Sequence, residues 1–320
     1  MDGAASCWSW RPEAPSRLEQ GVSLLRLDGP DALRVLHGQT SQAIEAAAPG
    51  SALATCVISP TARLRATAQV LVTDGGAWLV IEAGDGAAVR TALDRVLFPA
   101  DRVELGPLQQ ARLITPVPSA LETVLPAELT PCEPGQWAPW PGADGLWLLG
   151  QQLLVLNGEA ALPAAFSRRT PLSPLEQERW RLQHGIPSPP GELNDEVNPF
   201  ELGLANRVSL NKGCYVGQET LAKLASTGGV KQQLRRWCWL QSERGASPCA
   251  GDGLITSSGE RAGSISSALA IPQSDGAVQW LGLALVRRSA LDQRALRWGD
   301  QGPELAISLP EAFVEPPLRS

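Results

Sequence analysis

The stretch Lys212-Gly213-Cys214-Tyr215-Val216-Gly217-Gln218-Glu219 lies where the chain changes character. Ahead of it, strand-like apolar runs mix with helical spacing. After Gly228-Gly229 only short strand-like runs separated by turns remain. This change places an α+β part before a small all-β barrel. Within the stretch, a cation precedes a thiol by two residues, glycines bracket the thiol, and apolar spacing from Tyr215 to Leu224 predicts a helix. Cys214 is therefore expected near a helix N-terminus, where unpaired N–H groups and the dipole favour a thiolate, with Lys212 acting in the same direction. Gly213 and Gly217 allow a ligand or another chain close to the backbone. A tight turn around a core cysteine fits the same residues.

Downstream, Leu234–Leu240, Gly253–Thr256, Ala262–Ser267, Gln279–Val286, Ala295–Trp298 and Leu305–Leu309 read as six short strands, which predicts a barrel over 232–320. Upstream, residues 21–231 form the α+β part. Val22 to Leu27 reads as a strand, Ala32 to His37 as a short helix capped by Asp31, and Leu53 to Ile58 as a strand closed by Pro60. Ala66–Val72 and Trp78–Ala83 flank a hairpin signal at Asp74-Gly75-Gly76, and a helix follows over Ala88–Leu97. Residues 126–145 read as a long surface connection. Ser173-Pro174-Leu175-Glu176 starts a helix that Gly185 stops. Residues 1–20, with Pro12 and Pro15, read as a flexible lead-in.

At 320 residues the chain exceeds the size at which one core stops growing. With 27 basic against 33 acidic residues, a net of -6 disfavours bulk attraction to nucleic acid. No apolar run reaches membrane-spanning length, and no basic region followed by an apolar stretch opens the sequence, so a cytoplasmic location is expected. Six scattered cysteines without a C-x-x-C pair, and two histidines, speak against a structural zinc or a self-contained iron–sulfur cluster, so no metal is expected.

Three further stretches carry polar chemistry. Gly84-Asp85-Gly86 resembles part of a dinucleotide fingerprint, but Val89 at the third position and a preceding hairpin strand favour a plain strand-to-helix turn. Gly191 to Glu201 is dense in acids and amides, including Asn194, Asn198 and Glu201; such groups suit the edge of a flat heterocycle such as a pterin, or a solvated loop. Lys223, Lys231, Arg235 and Arg236 fall in a segment with no acid between Glu219 and Glu243, suited to a glutamate tail or RNA phosphate, or to a solvated linker.

Lys212–Glu219, Asn198-Pro199-Phe200-Glu201-Leu202-Gly203-Leu204 and Glu178-Arg179-Trp180-Arg181-Leu182-Gln183-His184-Gly185-Ile186-Pro187 together resemble the folate-binding YgfZ family, which is related to the aminomethyltransferase (T-protein) of glycine cleavage. Weaker likeness covers Gly29–Ala32, Gly38–Thr40 and Ala262–Ser267. The resemblance implies an aminomethyltransferase-like α+β fold: two α+β lobes and a C-terminal six-stranded β-barrel in a ring with a central cavity. It implies tetrahydrofolate or a derivative as cofactor, held by Arg181, Asn194, Asn198, Glu201, Tyr215, Gln218 and Glu219, with Cys214 and Lys212 as the reactive pair. Arg181 matches an arginine that faces folate in the aminomethyltransferases, and an arginine fork suits a carboxylate.

One departure bears on activity. The aminomethyltransferases place an aspartate pair before an apolar strand, and Leu64-Arg65-Ala66-Thr67-Ala68-Gln69-Val70-Leu71-Val72 has no acid. The Ser-Pro-x-Gly-Arg turn of the family is also altered, with Ala62 before Arg63. Three functions stay open. The chain is expected to be a folate-binding accessory protein for assembly or repair of iron–sulfur enzymes, including tRNA-modifying ones, acting through Cys214. The alternatives are a folate-dependent aminomethyl or methyl transferase and a scaffold that has lost its ligand.

Overall fold

Strand β1 (Ser16–Asp28) organises the first half of the chain, because its two faces carry different apolar sets. Leu25 and Leu27 face one way and Val22 and Leu24 the other, as strand alternation requires. The computed structural model describes residues 7–122, 124–129, 132–156, 160–227, 229–241 and 245–316. Residues 1–6 of the expected lead-in, Gly228 and Glu243 lie outside these.

The described chain divides into two compact units, one holding Arg11–Ser173 and Asn206–Thr220, the other Met1–Trp10, Pro174–Ala205 and Leu221–Ser320. In the first, β1 is followed by α1 (Ala32–Gln39), β2 (Ala52–Ile58), β3 (Leu64–Thr73), β4 (Gly76–Gly84), α2 (Gly86–Asp94), β5 (Glu104–Leu105) and β6 (Gln109–Val117). Then come β7 (Trp137–Pro139), β8 (Leu146–Leu149), β9 (Gln152–Val155), α3 (Ala164–Ser167) and β10 (Thr170–Pro171). The sheet runs β2-β3-β4-β1-β6-β9-β8-β7, with β5 and β10 also paired to β1. Its ladders are antiparallel except for β1 with β10.

One sheet face buries Leu25, Leu27, Ala68, Val70, Leu79 and Ile81 against Val35 and Leu36 of α1 and Val89 and Leu93 of α2. The opposite face packs Val22, Leu24, Leu71, Val80, Leu113 and Leu154. Asp85 caps α2, its carboxylate accepting from Ala87 N at 2.9 Å and Ala88 N at 3.1 Å, so Gly84-Asp85-Gly86 is a strand-to-helix turn.

The second unit holds α4 (Pro174–His184) and most of α5 (Gln218–Ser226), within which the division at 220/221 falls. Strands β11 (Gln232–Gln241), β12 (Gly253–Ile255), β13 (Arg261–Pro272), β14 (Val278–Arg287), β15 (Ala295–Trp298) and β16 (Glu304–Ser308) follow. They close into a barrel, β11-β14-β13-β12-β15-β16, as the sequence predicts. Trp237 fills its interior with no exposed surface and pairs across the ladder with Gly282. A Cβ at Gly282 would lie 2.4 Å from the Trp237 ring, so a strand glycine is required there.

Two expectations need correction. Ser16–Gln20, read as lead-in, form the first turns of β1, and Cys7 and Trp8 are buried. The polar alternation of Arg17, Glu19 and Gln20 hid the strand, because those side chains are satisfied by ion pairs and hydrogen bonds instead of apolar burial. The helix expected from Tyr215 begins only at Gln218. Gly217 takes φ +78, which breaks helical continuity ahead of it.

Candidate functional site

Helix α1 ends with carbonyls that lack intrahelical partners. Lys212 supplies them: its Nζ donates to the His37 carbonyl, to Thr40 O at 2.7 Å and to Gln42 O at 2.8 Å. The ammonium also lies 4.2 Å from the centroid of the Tyr215 ring. Burial pushes the Lys212 amine down to about 7. The three carbonyls pull the other way, since a neutral amine has only two N–H groups for three acceptors. Lys212 is thus a cap for the C-terminus of α1, and its hydrogen bonds go to backbone oxygens and not to the neighbouring thiol.

The turn after Lys212 is pinned along its length. Val216 N donates to Gly38 O at 3.0 Å. Gln218 Oε1 accepts from Tyr215 N at 3.3 Å, and its Nε2 donates to Lys212 O at 3.4 Å. At Gly217 a Cβ would lie 2.8 Å from Ser59 O and 3.1 Å from Ala62 Cα, so the turn sits directly on the Ser59–Arg63 loop. That loop carries Ala62 at φ +60, a left-handed conformation rare for a residue with a Cβ. Tyr215 is buried, its phenol is pushed up to about 12 by burial, and its Oη has no hydrogen-bond partner among the described residues. Cys214 and Glu219, in contrast, are exposed. Cys214 lies four residues ahead of the first residue of α5, outside the reach of that helix's first-turn N–H groups. Its setting is an exposed thiol on a fixed turn.

His37 completes the surroundings. Its Nδ1 accepts from Ile44 N at 3.2 Å and Glu45 N at 3.1 Å, which fixes the proton of the neutral ring on Nε2. Burial and the Lys212 charge hold the ring below the ordinary histidine value.

A polar patch that sequence reading missed lies on the sheet face away from α1 and α2. Arg207 Nη1 donates to Glu82 Oε2 at 2.6 Å and to Ala68 O at 3.2 Å. Glu82 Oε1 accepts from Gln69 Nε2 at 2.8 Å, and its backbone oxygen from Gln20 Nε2 at 2.6 Å. Gln152 lies 3.4 Å from Gln69 and donates to Thr115 Oγ1 at 2.8 Å. All six side chains are half-buried. Register explains why the acid was overlooked. Thr67 pairs with Ala83 and Ala68 with Ile81, so Glu82 is the extra residue of a β-bulge, and a bulge re-aims a side chain without a sequence mark. The stretch 64–72 has no acid, yet a carboxylate stands beside Gln69.

In the second unit, the expected ligand groups are engaged with one another. Arg181 donates through Nε to Glu178 Oε2 at 2.8 Å, through Nη1 to Ile186 O at 2.8 Å and Glu192 Oε2 at 3.0 Å, and through Nη2 to Glu178 Oε1 at 2.7 Å and Ser267 Oγ at 2.9 Å. All five N–H groups of the fork are used. Asn198 Oδ1 accepts from Phe200 N at 3.0 Å and Glu201 N at 3.1 Å, while Glu201 Oε2 accepts from Asn198 N at 2.9 Å. This reciprocal pair holds the turn at 198–203. Asn194 is exposed and closes its own turn, accepting from Glu196 N at 3.0 Å. Of the basic segment, Lys223 and Lys231 are exposed, whereas Arg235 packs on Phe313 and Arg236 on Trp8. Lys212, Cys214, Tyr215, Gln218 and Glu219 therefore form one constellation, and Arg181 and the Asn198–Glu201 pair are internal struts of the other unit.

No protein-family model matches the chain. It is 25% identical over 291 residues, 83% of its length, to the Arabidopsis thaliana protein named "Putative transferase At1g60990, chloroplastic". It is 33% identical over 129 residues, 37% of its length, to the tRNA-modifying protein YgfZ of Aliivibrio fischeri. The chain spans 66% of the Arabidopsis protein and 36% of the Aliivibrio protein, less than two thirds of either. Among solved structures it resembles glycine cleavage system aminomethyltransferase T from Bartonella henselae, with a TM-score of 0.68 at 16% identity, over 96% of this chain and 89% of that one. The last likeness establishes an aminomethyltransferase-like fold, and in sequence the chain is similar to YgfZ and to the Arabidopsis protein.

Proposed function

We propose that the chain is a folate-binding accessory protein that supports assembly or repair of iron–sulfur enzymes, tRNA-modifying ones among them, through Cys214. The observation that carries this reading is an exposed thiol on a turn whose neighbours are fixed by Lys212, Tyr215, Gln218 and Gly217. A sulfur presented this way can reach a client without unfolding the site. In this reading residues 21–231 are the folate-binding part, 232–320 the barrel domain, and the protein works in the cytoplasm.

The residues present fit part of a folate. A pterin edge presents alternating donors and acceptors; in this proposal the Glu82 carboxylate accepts from that edge and the Gln152 amide pairs with it, while Gln69 holds both in place through its Nε2. Gln218 and Glu219 are further polar groups of the same unit in this proposal. Arg181 does not fit the role of gripping a tail carboxylate, because its donors are already used; it positions the 186–192 loop, as Asn198 and Glu201 position theirs.

The test pairs binding with function. Calorimetric titration with tetrahydrofolate is expected to show binding to both wild type and Cys214→Ala, whereas only wild type restores cluster-dependent enzyme activity to cells lacking the protein. Full restoration by Cys214→Ala removes the thiol from the mechanism; absence of binding to wild type removes the folate.

A transferase is the second reading, favoured by one observation: the Glu82 carboxylate 2.8 Å from Gln69. It requires tetrahydrofolate-dependent turnover with a small amine donor that Glu82→Gln abolishes. No turnover in wild type ends it.

A further inference from the structure

Cys7 and Cys238 lie outside the site above, and both are buried. Strand β11 explains their meeting. Trp237 points into the barrel, so Arg236 and Cys238 point outward from the same strand. The segment Cys7–Trp10 covers this outer face. Trp8 lies under the Arg236 guanidinium at 4.8 Å, and Trp10 under Arg179 of α4 at 5.2 Å. Arg236 also donates to Gln183 O at 2.8 Å, and Gln183 Nε2 donates to Trp10 O at 3.3 Å. This packing brings the Cys7 and Cys238 thiols into hydrogen-bonding contact, with the Trp8 indole N–H donating to the Cys238 sulfur.

We propose that Cys7 and Cys238 form a peroxide-sensitive dithiol, whose oxidation to a disulfide latches the segment Cys7–Trp10 onto the outer face of the barrel. The two sulfurs are not equivalent. The hydrogen bond from Cys238 lowers the Cys7 thiol below its ordinary value, and Arg236 and Arg179 add to this against desolvation. The same bond, with burial, raises Cys238, which keeps its proton. Cys7 sits on the segment whose Trp8 and Trp10 lie beneath the Arg236 and Arg179 guanidiniums, and it is assigned the attacking role, with Cys238 the resolving thiol. The Cys7 thiolate attacks one oxygen of hydrogen peroxide, the O–O bond breaks, and the released hydroxide takes a proton to give water and a sulfenic acid. Cys238 then attacks the Cys7 sulfur, an S–S bond forms, and the S–OH oxygen leaves with the Cys238 proton as a second water. Two thiols and one peroxide yield one disulfide and two waters. Cys214 takes no part, so this inference stands apart from the folate reading.

The experiment uses the full-length reduced protein and hydrogen peroxide, followed by alkylation and non-reducing peptide mapping. The expected product in wild type is a linked peptide pair containing Cys7 and Cys238, lighter by two hydrogens and absent from Cys7→Ser. Peroxide should also raise the wild-type Tm by roughly 5 °C, and dithiothreitol should return it, because the bridge constrains the unfolded chain. Recovery of Cys7 and Cys238 as separately alkylated thiols after unfolding overturns the proposal, as does linkage of either to the exposed Cys214 or Cys249. A linked pair with an unchanged Tm overturns the latch.

Discussion

Glu192 has no exposed side-chain surface, and its Oε2 accepts from Arg181 Nη1 at 3.0 Å while Oε1 accepts from the hydroxyls of Ser266 and Ser267 at 2.6 and 2.7 Å. A buried carboxylate held by one cation and two strand β13 hydroxyls ties the loop at 186–192 to the barrel. Arg181 is therefore a strut of its unit. Arg181→Met should cost about 3–5 kcal/mol, because it leaves the Glu192 charge buried and uncompensated. Denaturant unfolding measures the loss. Tetrahydrofolate affinity, titrated where the variant is still folded, should be close to wild type. A variant of unchanged stability with abolished affinity would return Arg181 to the ligand.

Lys212 is expected to behave as a cap. Lys212→Met removes the only charged donor that the described residues offer to the His37, Thr40 and Gln42 carbonyls, at a cost of about 2–3 kcal/mol. Amide hydrogen exchange should accelerate in the last turn of α1 and over 212–218, with β11–β16 unaffected. Uniform acceleration through the barrel would contradict a local role.

How much of this was legible in the sequence differs between levels. The barrel strands could be read because each is a short apolar run between turn residues, whereas their order and register, such as Trp237 opposite Gly282, depend on long-range pairing and could not. The motif at 212–219 pointed to a site but misassigned its parts. Lys212 and Cys214 are neighbours in sequence, yet one turns inward to α1 and the other outward, a choice set by a helix end 170 or so residues earlier in the chain. Glu82 was invisible for a different reason: its position beside Gln69 depends on a bulge. Arg181 was chemically well suited to a carboxylate, and the carboxylates it holds turned out to be Glu178 and Glu192.

Gly217 tests the fixed turn beneath Cys214. Its φ of +78 disfavours any side chain, and a Cβ would meet Ser59 O at 2.8 Å and Ile58 Cδ1 at 2.9 Å. Gly217→Ala should therefore destabilise by about 2–4 kcal/mol, combining left-handed strain with displacement of the Ser59–Arg63 loop. If Cys214 acts from a held position, this variant should also lose cluster-enzyme support at temperatures where it remains folded. Wild-type Tm in Gly217→Ala would show that the turn does not rest on the loop.

Cys56 gives the pH dependence. It is fully buried on β2, Ser41 Oγ accepts from its backbone N–H at 2.9 Å, and burial raises its thiol from 9.0 to about 12. A thiol whose value is raised by folding contributes stability that is complete below its unfolded value, because both states are then protonated alike. Above pH 9 the unfolded chain releases this proton and the folded chain does not, so stability falls as pH climbs toward 12. At about 1.4 kcal/mol per unit, the loss from this one group is on the order of 4 kcal/mol across that window. Other groups titrate there too, so the informative quantity is wild type minus Cys56→Ala. That difference should be constant from pH 6 to 8 and shrink steadily above 9, because the alanine variant has no proton to lose. A difference that stays flat to pH 11 would mean that the sulfur reaches solvent in the folded state.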